Sequence, residues 1–119
     1  MIRGGNVTIF VSNMDNSVRF YTESLGLKLE FSSGNDWAQV ITDEGFRIGM
    51  HSATKSAPAP GTAGAMQIGF DIRESLQQEM ESLAQKGITF DGAVQDGPNV
   101  KLAFFRDPDG NVLYLCEVK

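Results

Sequence analysis

An internal repeat constrains the fold of this chain more than any other feature of its sequence. Asn6 and Gln67 each begin a run of β-branched and aromatic residues, and Gly26 and Gly87 each end a helical pattern. The separation from Asn6 to Gln67 equals the separation from Gly26 to Gly87. By the last strand of each half this offset has grown slightly, which indicates a longer loop in the second half. The agreement of order, spacing and helix ends favours a duplication over coincidence in an unrelated α+β domain.

Both halves are predicted to contain one strand, one helix and three further strands. In the first half NVTIFV predicts a strand, and apolar residues then recur at helical spacing. The apolar residues of this helix are Met14, Val18, Tyr21 and Leu25. Three alternating segments follow as strands: LKLEF, NDWAQVI and FRIGMH. The second half repeats the order with MQIGFDI, a helix from Glu74 to Lys86, and the strands ITFDG, VKLAFF and NVLYLCEV.

The segment between the halves, SATKSAPAPGTAGA, is rich in Ala, Pro, Gly and Ser and predicts a linker. We therefore expect an α+β fold of two tandem βαβββ units within a single domain of residues 1–119. The first unit comprises residues 1–51, the linker residues 52–65 and the second unit residues 66–119.

Composition excludes several classes of protein. The net charge is −5 and the ten Lys and Arg residues are scattered, so no basic footprint for nucleic acid is present. No apolar run approaches the roughly 18 to 20 residues that span a bilayer, and the N-terminal residues do not resemble a signal peptide. The single Cys116 forms no internal disulfide, which favours a cytoplasmic location.

Two segments carry a resemblance to a known family. VTIFVSNMDNSVRFYTESLGLKLEF, followed later by FFRDPDGNVLYLCEV, resembles the vicinal oxygen chelate superfamily of glyoxalases, extradiol dioxygenases and antibiotic-binding resistance proteins. The resemblance covers nearly the whole chain. It implies that each βαβββ unit curls its sheet into a half-barrel, that two half-barrels form a cleft, and that the chain forms a homodimer. It also implies helices outside and a small-molecule ligand on the concave faces.

The resemblance further implies four positions for metal ligands. Catalytic members of the family hold a divalent metal with a His at the start of each unit and a Glu in the last strand of each unit. The matching positions here are Asn6, Gln67, Gly49 and Tyr114. Amide and neutral phenol oxygens bind transition metals weakly, so we expect neither a metal nor another cofactor. A different alignment would bring His51, the only histidine, towards the cleft.

Strand parity predicts which side chains line the concave faces. The candidate ligand-binding residues are Asn6, Thr8, Phe10, Trp37, Gln39, Arg47, His51, Gln67 and Tyr114. Aromatic rings with a few polar groups are typical of small-molecule pockets. Trp37 and Phe10 favour stacking on a planar ligand, and Arg47 favours pairing with a carboxylate or phosphate. The alternatives are a core position for Trp37, a solvated strand end for Arg47 and a structural hydrogen bond from Tyr114 to Gln67 or Asn6.

Three functions remain open at this point. The first is a metal-free protein that binds a small, planar or anionic organic molecule. The second is a metal-dependent lyase, isomerase or dioxygenase of the same superfamily, or an enzyme using acid–base chemistry of Tyr114, His51 or Arg47. The third is a non-catalytic interaction module whose main role is to form a dimer interface. We rank binding first and leave open the ligand, any catalytic residue and whether the cleft lies within one chain or between two.

Overall fold

Each half of the chain folds into a four-stranded mixed sheet with a helix between its first and second strands. The computed structural model describes residues 1–56 and 59–119. The first half contains β1 (Val7–Val11), α1 (Met14–Arg19), β2 (Lys28–Ser33), β3 (Trp37–Ile41) and β4 (Arg47–Ser52). A π-helical segment, Phe20–Ser24, continues α1. The second half contains β5 (Gln67–Asp71), α2 (Leu76–Gln85), β6 (Phe90–Asp96), β7 (Val100–Arg106) and β8 (Val112–Val118).

The two sheets have the same topology. The strand order is β1-β4-β3-β2 in the first and β5-β8-β7-β6 in the second. In each sheet the first strand runs parallel to the last, and the remaining pairs are antiparallel. Thr8 pairs with Gly49 in the first sheet, and Gly69 pairs with Tyr114 in the second, so the repeat offset is larger at the last strand, as expected. This confirms the predicted α+β fold of two βαβββ units.

The chain divides into two compact units, Met1–Pro60 and Gly61–Lys119. The boundary lies inside the segment expected to be a linker, of which residues 57 and 58 lie outside the described residues. The description of residues 1–119 as one domain stays a prediction. Within the described ranges no helix is both long enough and apolar enough to cross a bilayer.

Both helices begin at a polar residue that accepts a backbone hydrogen bond. The side chain of Asn13 accepts from the backbone N–H of Asn16 at 3.0 Å at the start of α1. At the start of α2, Ser75 Oγ accepts from the N–H of Gln78 at 3.2 Å. The carboxylate of Glu117 accepts from a further N–H of that first turn. These acceptors satisfy donors that have no partner inside the helix.

Each unit buries one face of its sheet beneath its own helix. The buried apolar residues of the first sheet are Ile9, Val11, Ala38, Val40, Ile48 and Met50, and those of the second are Ile68, Ala103, Phe105, Leu113 and Leu115. Because side chains alternate along a strand, the residues between them lie on the opposite face, here called the open face. Phe105 is fully buried on the helix side, which places its neighbour Phe104 on the open face.

Candidate ligand-binding site

On the open face of the first sheet the indole of Trp37 lies across Gly49. Trp37 begins β3, and Gly49 lies at the centre of β4. A Cβ atom built on Gly49 would overlap Cη2 of Trp37 and lie 2.8 Å from Nδ2 of Asn6. No larger residue fits at position 49 unless the ring moves. The glycine therefore provides the space that the indole occupies.

Two further rings extend this aromatic surface. His51 pairs with Phe10 on one side and with Trp37 on the other, because β4 lies between β1 and β3. Its ring centroid is 5.4 Å from that of Phe10 and 6.3 Å from that of Trp37, both in edge contacts. All three rings are partly buried. We call Phe10, Trp37 and His51 the aromatic cluster.

Polar groups flank the aromatic cluster at the start of β1. The Asn6 side-chain amide donates to Thr8 Oγ1 at 3.3 Å and to the Val7 carbonyl oxygen at 3.4 Å. Both Asn6 and Thr8 are exposed. The parity prediction thus places Asn6, Thr8 and the aromatic cluster on one face, and the structure brings them together.

A carboxylate that sequence reasoning missed occupies the remaining polar part of this face. Glu30 Oε1 accepts from Gln39 Nε2 at 2.8 Å and from Arg47 Nε at 3.0 Å, and Glu30 Oε2 accepts from Arg47 Nη2 at 3.3 Å. The hydrogen bond from Arg47, followed by that from Gln39, holds the pKa of Glu30 below its usual value. Arg47, predicted as an anion ligand, is therefore already engaged with a carboxylate of its own chain.

Alternation along β2 alone would have placed Glu30 on this face. Leu29 pairs with Val40 and Phe31 pairs with Gln39, so Glu30 is an extra residue without a direct partner in β3. The pairing is regular up to Leu29, whose partner Val40 is buried, so the next residue, Glu30, belongs on the open face with Gln39. The sequence prediction took no candidate residue from LKLEF and so left Glu30 out.

On the open face of the second sheet the arrangement of ring and glycine is different. The Tyr114 ring, in β8, lies over Gly69 of β5, where an added Cβ would overlap three atoms of the phenol. Tyr114 also contacts Phe104, with centroids 5.3 Å apart. Gln67 is exposed at the start of β5. The predicted hydrogen bond between Tyr114 and Gln67 is not observed within the described ranges, and the ring packs on glycine instead.

A cavity in the first unit lies away from this surface. A shallow cavity of about 380 Å³ is lined by Val11, Ser12, Asn13, Met14, Asp15, Asn35, Ser52 and Ala53. None of the nine candidate residues lines it. We base the candidate site on the aromatic cluster, because the cavity walls offer no ring on which a planar ligand would stack.

Comparison with known proteins agrees with the fold and with its duplication. Residues 4–115 match the model of the Glyoxalase/Bleomycin resistance protein/Dioxygenase superfamily. The chain belongs to this superfamily.

Several solved structures share the fold at low sequence identity, and the first of these is described as a member of the same superfamily. A member from Sphaerobacter thermophilus superimposes with a TM-score of 0.82 at 22% identity, covering 98% of both chains. TnmS3, described as an antibiotic binding protein from a Streptomyces species, has a TM-score of 0.79 at 23% identity, covering 100% of this chain and 98% of its own. A virulence protein of Salmonella typhimurium has a TM-score of 0.78 at 22% identity, covering 100% and 98%.

The residues at the metal positions implied by the superfamily do not fit a divalent metal. Gly49 has no side chain, and the space above it is filled by Trp37 and Asn6. The ring of Tyr114 is packed on Gly69, and Gln67 offers an amide. Within the described ranges no group of three or more His, Cys, Asp or Glu residues is placed to hold an ion. Since carboxylates and imidazoles are the ligands such an ion prefers, we derive no metal-dependent step.

Proposed function

We propose that this protein binds a small planar organic molecule on the open face of its first sheet and that it does so without a metal. The observation that carries the proposal is the aromatic cluster beside Gly49. Three partly buried rings form an apolar surface there, with the exposed polar groups of Asn6 and Thr8 beside it. Rings of this kind supply most of the contact area in small-molecule sites, and a few polar groups fix the orientation.

The ion pair between Arg47 and Glu30 favours a neutral ligand over an anionic one. Two nitrogen atoms of the guanidinium are hydrogen-bonded to the carboxylate. An anionic ligand would have to displace Glu30, or bind beside it and meet its charge. A neutral planar molecule gains the ring contacts without breaking this pair.

One structural neighbour supports a binding role. TnmS3, which shares the fold, is described as an antibiotic binding protein. We extend to this chain only the general role of small-molecule binding. Gln67 and Tyr114 remain candidates on the second sheet. A homodimer and a cytoplasmic location complete the proposal, and size-exclusion chromatography with light scattering tests the former.

The test uses Trp37, which is the only tryptophan of the chain. Its indole N–H gives one resonance in a ¹H–¹⁵N spectrum, and this resonance should shift when a planar neutral compound binds. A thermal-shift screen of planar neutral and planar anionic compounds identifies binders, because a ligand of the native state raises the melting temperature. The matched variants are Trp37→Leu, which should abolish binding, and Phe46→Leu, which alters a ring in the β3–β4 turn and should not.

The metal content of the protein tests the alternative, a metal-dependent enzyme. Untagged protein is incubated with Ni, Zn, Mn and Fe(II) and analysed by mass spectrometry. We expect less than about a tenth of an equivalent of each, given the weak donors at the four positions. A stoichiometric ion that is lost on mutation of His51 or Tyr114 would contradict the proposal and favour the lyase, isomerase or dioxygenase alternative.

A further inference from the structure

The hydrogen bond of His51 determines which of its two ring nitrogens carries the proton. Nδ1 lies 2.7 Å from the carbonyl oxygen of Ser52. A carbonyl oxygen only accepts hydrogen bonds, so Nδ1 is the donor. In the neutral imidazole the other nitrogen, Nε2, then has a lone pair and no proton. The backbone of β4 thereby makes Nε2 an acceptor.

The surroundings of His51 hold this acceptor in place. The ring makes edge contacts with Phe10 and Trp37 on its two sides, and the Ser52 carbonyl fixes its rotation. Nε2 has no hydrogen-bond partner among the described residues. His51 is partly buried, and its Nε2 has no donor from the protein among the described residues. A ligand that donates a hydrogen bond to Nε2 and displaces water from the rings would therefore be stabilised there.

From this geometry we infer that Nε2 of His51 accepts a hydrogen bond from the ligand. The ligand class is accordingly a planar aromatic molecule with a hydroxyl or ring N–H at its edge. The aromatic cluster contacts the apolar body of the molecule, and His51 selects the donor. This inference rests on the proposed function, since it names the ligand class of the same site.

The closing experiment compares two probes that differ only in the donor. 2-Naphthol carries a hydroxyl, and 2-methoxynaphthalene carries the methyl ether of the same ring system. Both are titrated in buffer of about pH 8, where imidazoles are ordinarily neutral, and binding is followed by the indole resonance of Trp37. We expect 2-naphthol to bind about three- to tenfold more tightly, the effect of one neutral hydrogen bond.

Two further measurements complete the test, one on a His51 variant and one on the unmutated protein. His51→Phe should lose the preference for 2-naphthol, so that the ratio of the two affinities falls to about one whatever the change does to the affinity for either probe. In the unmutated protein the single histidine gives one set of imidazole ¹⁵N resonances, which should report protonated Nδ1 before titration and a shift of Nε2 with 2-naphthol only. This measurement applies even if the variant does not fold.

The possible outcomes separate the two proposals. Equal affinity for both probes would overturn the donor preference and leave planar-ligand binding in place. If neither probe binds while the screen finds another ligand, the ligand class is wrong but small-molecule binding is retained. If neither the probes nor the screen finds a ligand, both proposals fail. Protonated Nε2 in the free protein would overturn this inference whatever binds.

Discussion

The two units solve the same structural problems with different residues, as their last hairpin turns show. In the first unit the N–H of Thr42 donates to the Phe46 carbonyl, and Thr42 Oγ1 accepts from the Phe46 N–H at 3.0 Å. In the second unit Asp107 and Asn111, at the corresponding positions of the repeat, make the same two contacts. The first turn is largely exposed, whereas Asp107 and Asn111 are only 5% and 6% exposed.

Burial accounts for the difference between the turns. Asp107 accepts from the backbone N–H groups of Asp109 and Asn111 and from the Asn111 side chain, at 2.9 to 3.0 Å. Gly61 packs so closely on this turn that an added Cβ would overlap the Asp109 carbonyl. A buried turn needs every donor satisfied, and a carboxylate accepts more hydrogen bonds than a hydroxyl. The sequence DPDGN of residues 107–111 is thus explained by the folding of this turn and requires no catalytic role.

The largest expected effect is a difference in lost folding stability between variants of these two turns. Asp107→Ala leaves two backbone donors and one amide donor without an acceptor in a buried place, and should destabilise the protein by about 2–4 kcal/mol. Thr42→Ala removes one hydrogen bond at a more exposed turn and should cost about 0.5–1 kcal/mol. Urea denaturation measures both. Equal losses would show that burial does not distinguish the turns.

The rings and glycines of the two open faces form a second contrast. Gly49 and Tyr114 occupy matching positions, as do Thr8 and Gly69. In the first unit a ring from β3 covers the glycine of β4, and in the second a ring from β8 covers the glycine of β5. The units therefore share a ring packed on a glycine but differ in which strand supplies each.

Double-mutant cycles test this packing. Gly49→Ala places a Cβ against Trp37, and Gly69→Ala places one against Tyr114, so each should destabilise the protein by about 1–3 kcal/mol. Trp37→Ala should relieve only the first substitution and Tyr114→Ala only the second, with a coupling energy of about 1 kcal/mol or more. Additive effects in either cycle would contradict the contact. The same variants sharpen the functional contrast, since Gly49→Ala should also weaken binding of planar probes.

A smaller effect is expected from the helices. Ser17 of α1 is 1% exposed, and its hydroxyl is a buried polar atom without a partner within the described ranges. Because an unpaired buried hydroxyl costs free energy, Ser17→Ala should be neutral or stabilise the protein by about 1 kcal/mol. Ser75→Ala, which removes the cap of α2, should instead destabilise it by about 1 kcal/mol. A loss of stability in Ser17→Ala would mean that this hydroxyl has a partner in solution.

Which features the sequence could predict follows from what each one depends on. The order of strands and helices along the chain and the open-face location of Trp37 and His51 depend on periodicity and on the repeat, and both are visible in the residues. The hydrogen bonds of Glu30 with Gln39 and Arg47 depend on the register of three strands, and the packing of Tyr114 on Gly69 depends on side-chain direction across two strands. These contacts are set by tertiary packing, which a pattern of apolar residues does not encode. The acceptor state of His51 likewise depends on a 2.7 Å contact with a backbone oxygen.

The smallest expected effect concerns the missed carboxylate and depends on pH. Because the hydrogen bonds from Arg47 and Gln39 lower the pKa of Glu30 in the folded state, its contribution to stability is present above the unfolded pKa and is lost as pH falls through the lower folded pKa. Glu30→Gln should therefore be less stable than the parent at neutral pH, and the difference should shrink in acid. The effect stays small since both partners are partly exposed.

The control for this pH dependence is Asp43→Asn, an exposed acid in the turn between β3 and β4. Thermal unfolding of the three proteins between about pH 3 and pH 7 spans the usual titration of carboxylates. If Glu30→Gln and Asp43→Asn respond alike, the pair with Arg47 adds nothing to folding, and the guanidinium is free to exchange partners. An anionic ligand would then compete on equal terms with a neutral one, and the preference argued from the ion pair would be withdrawn.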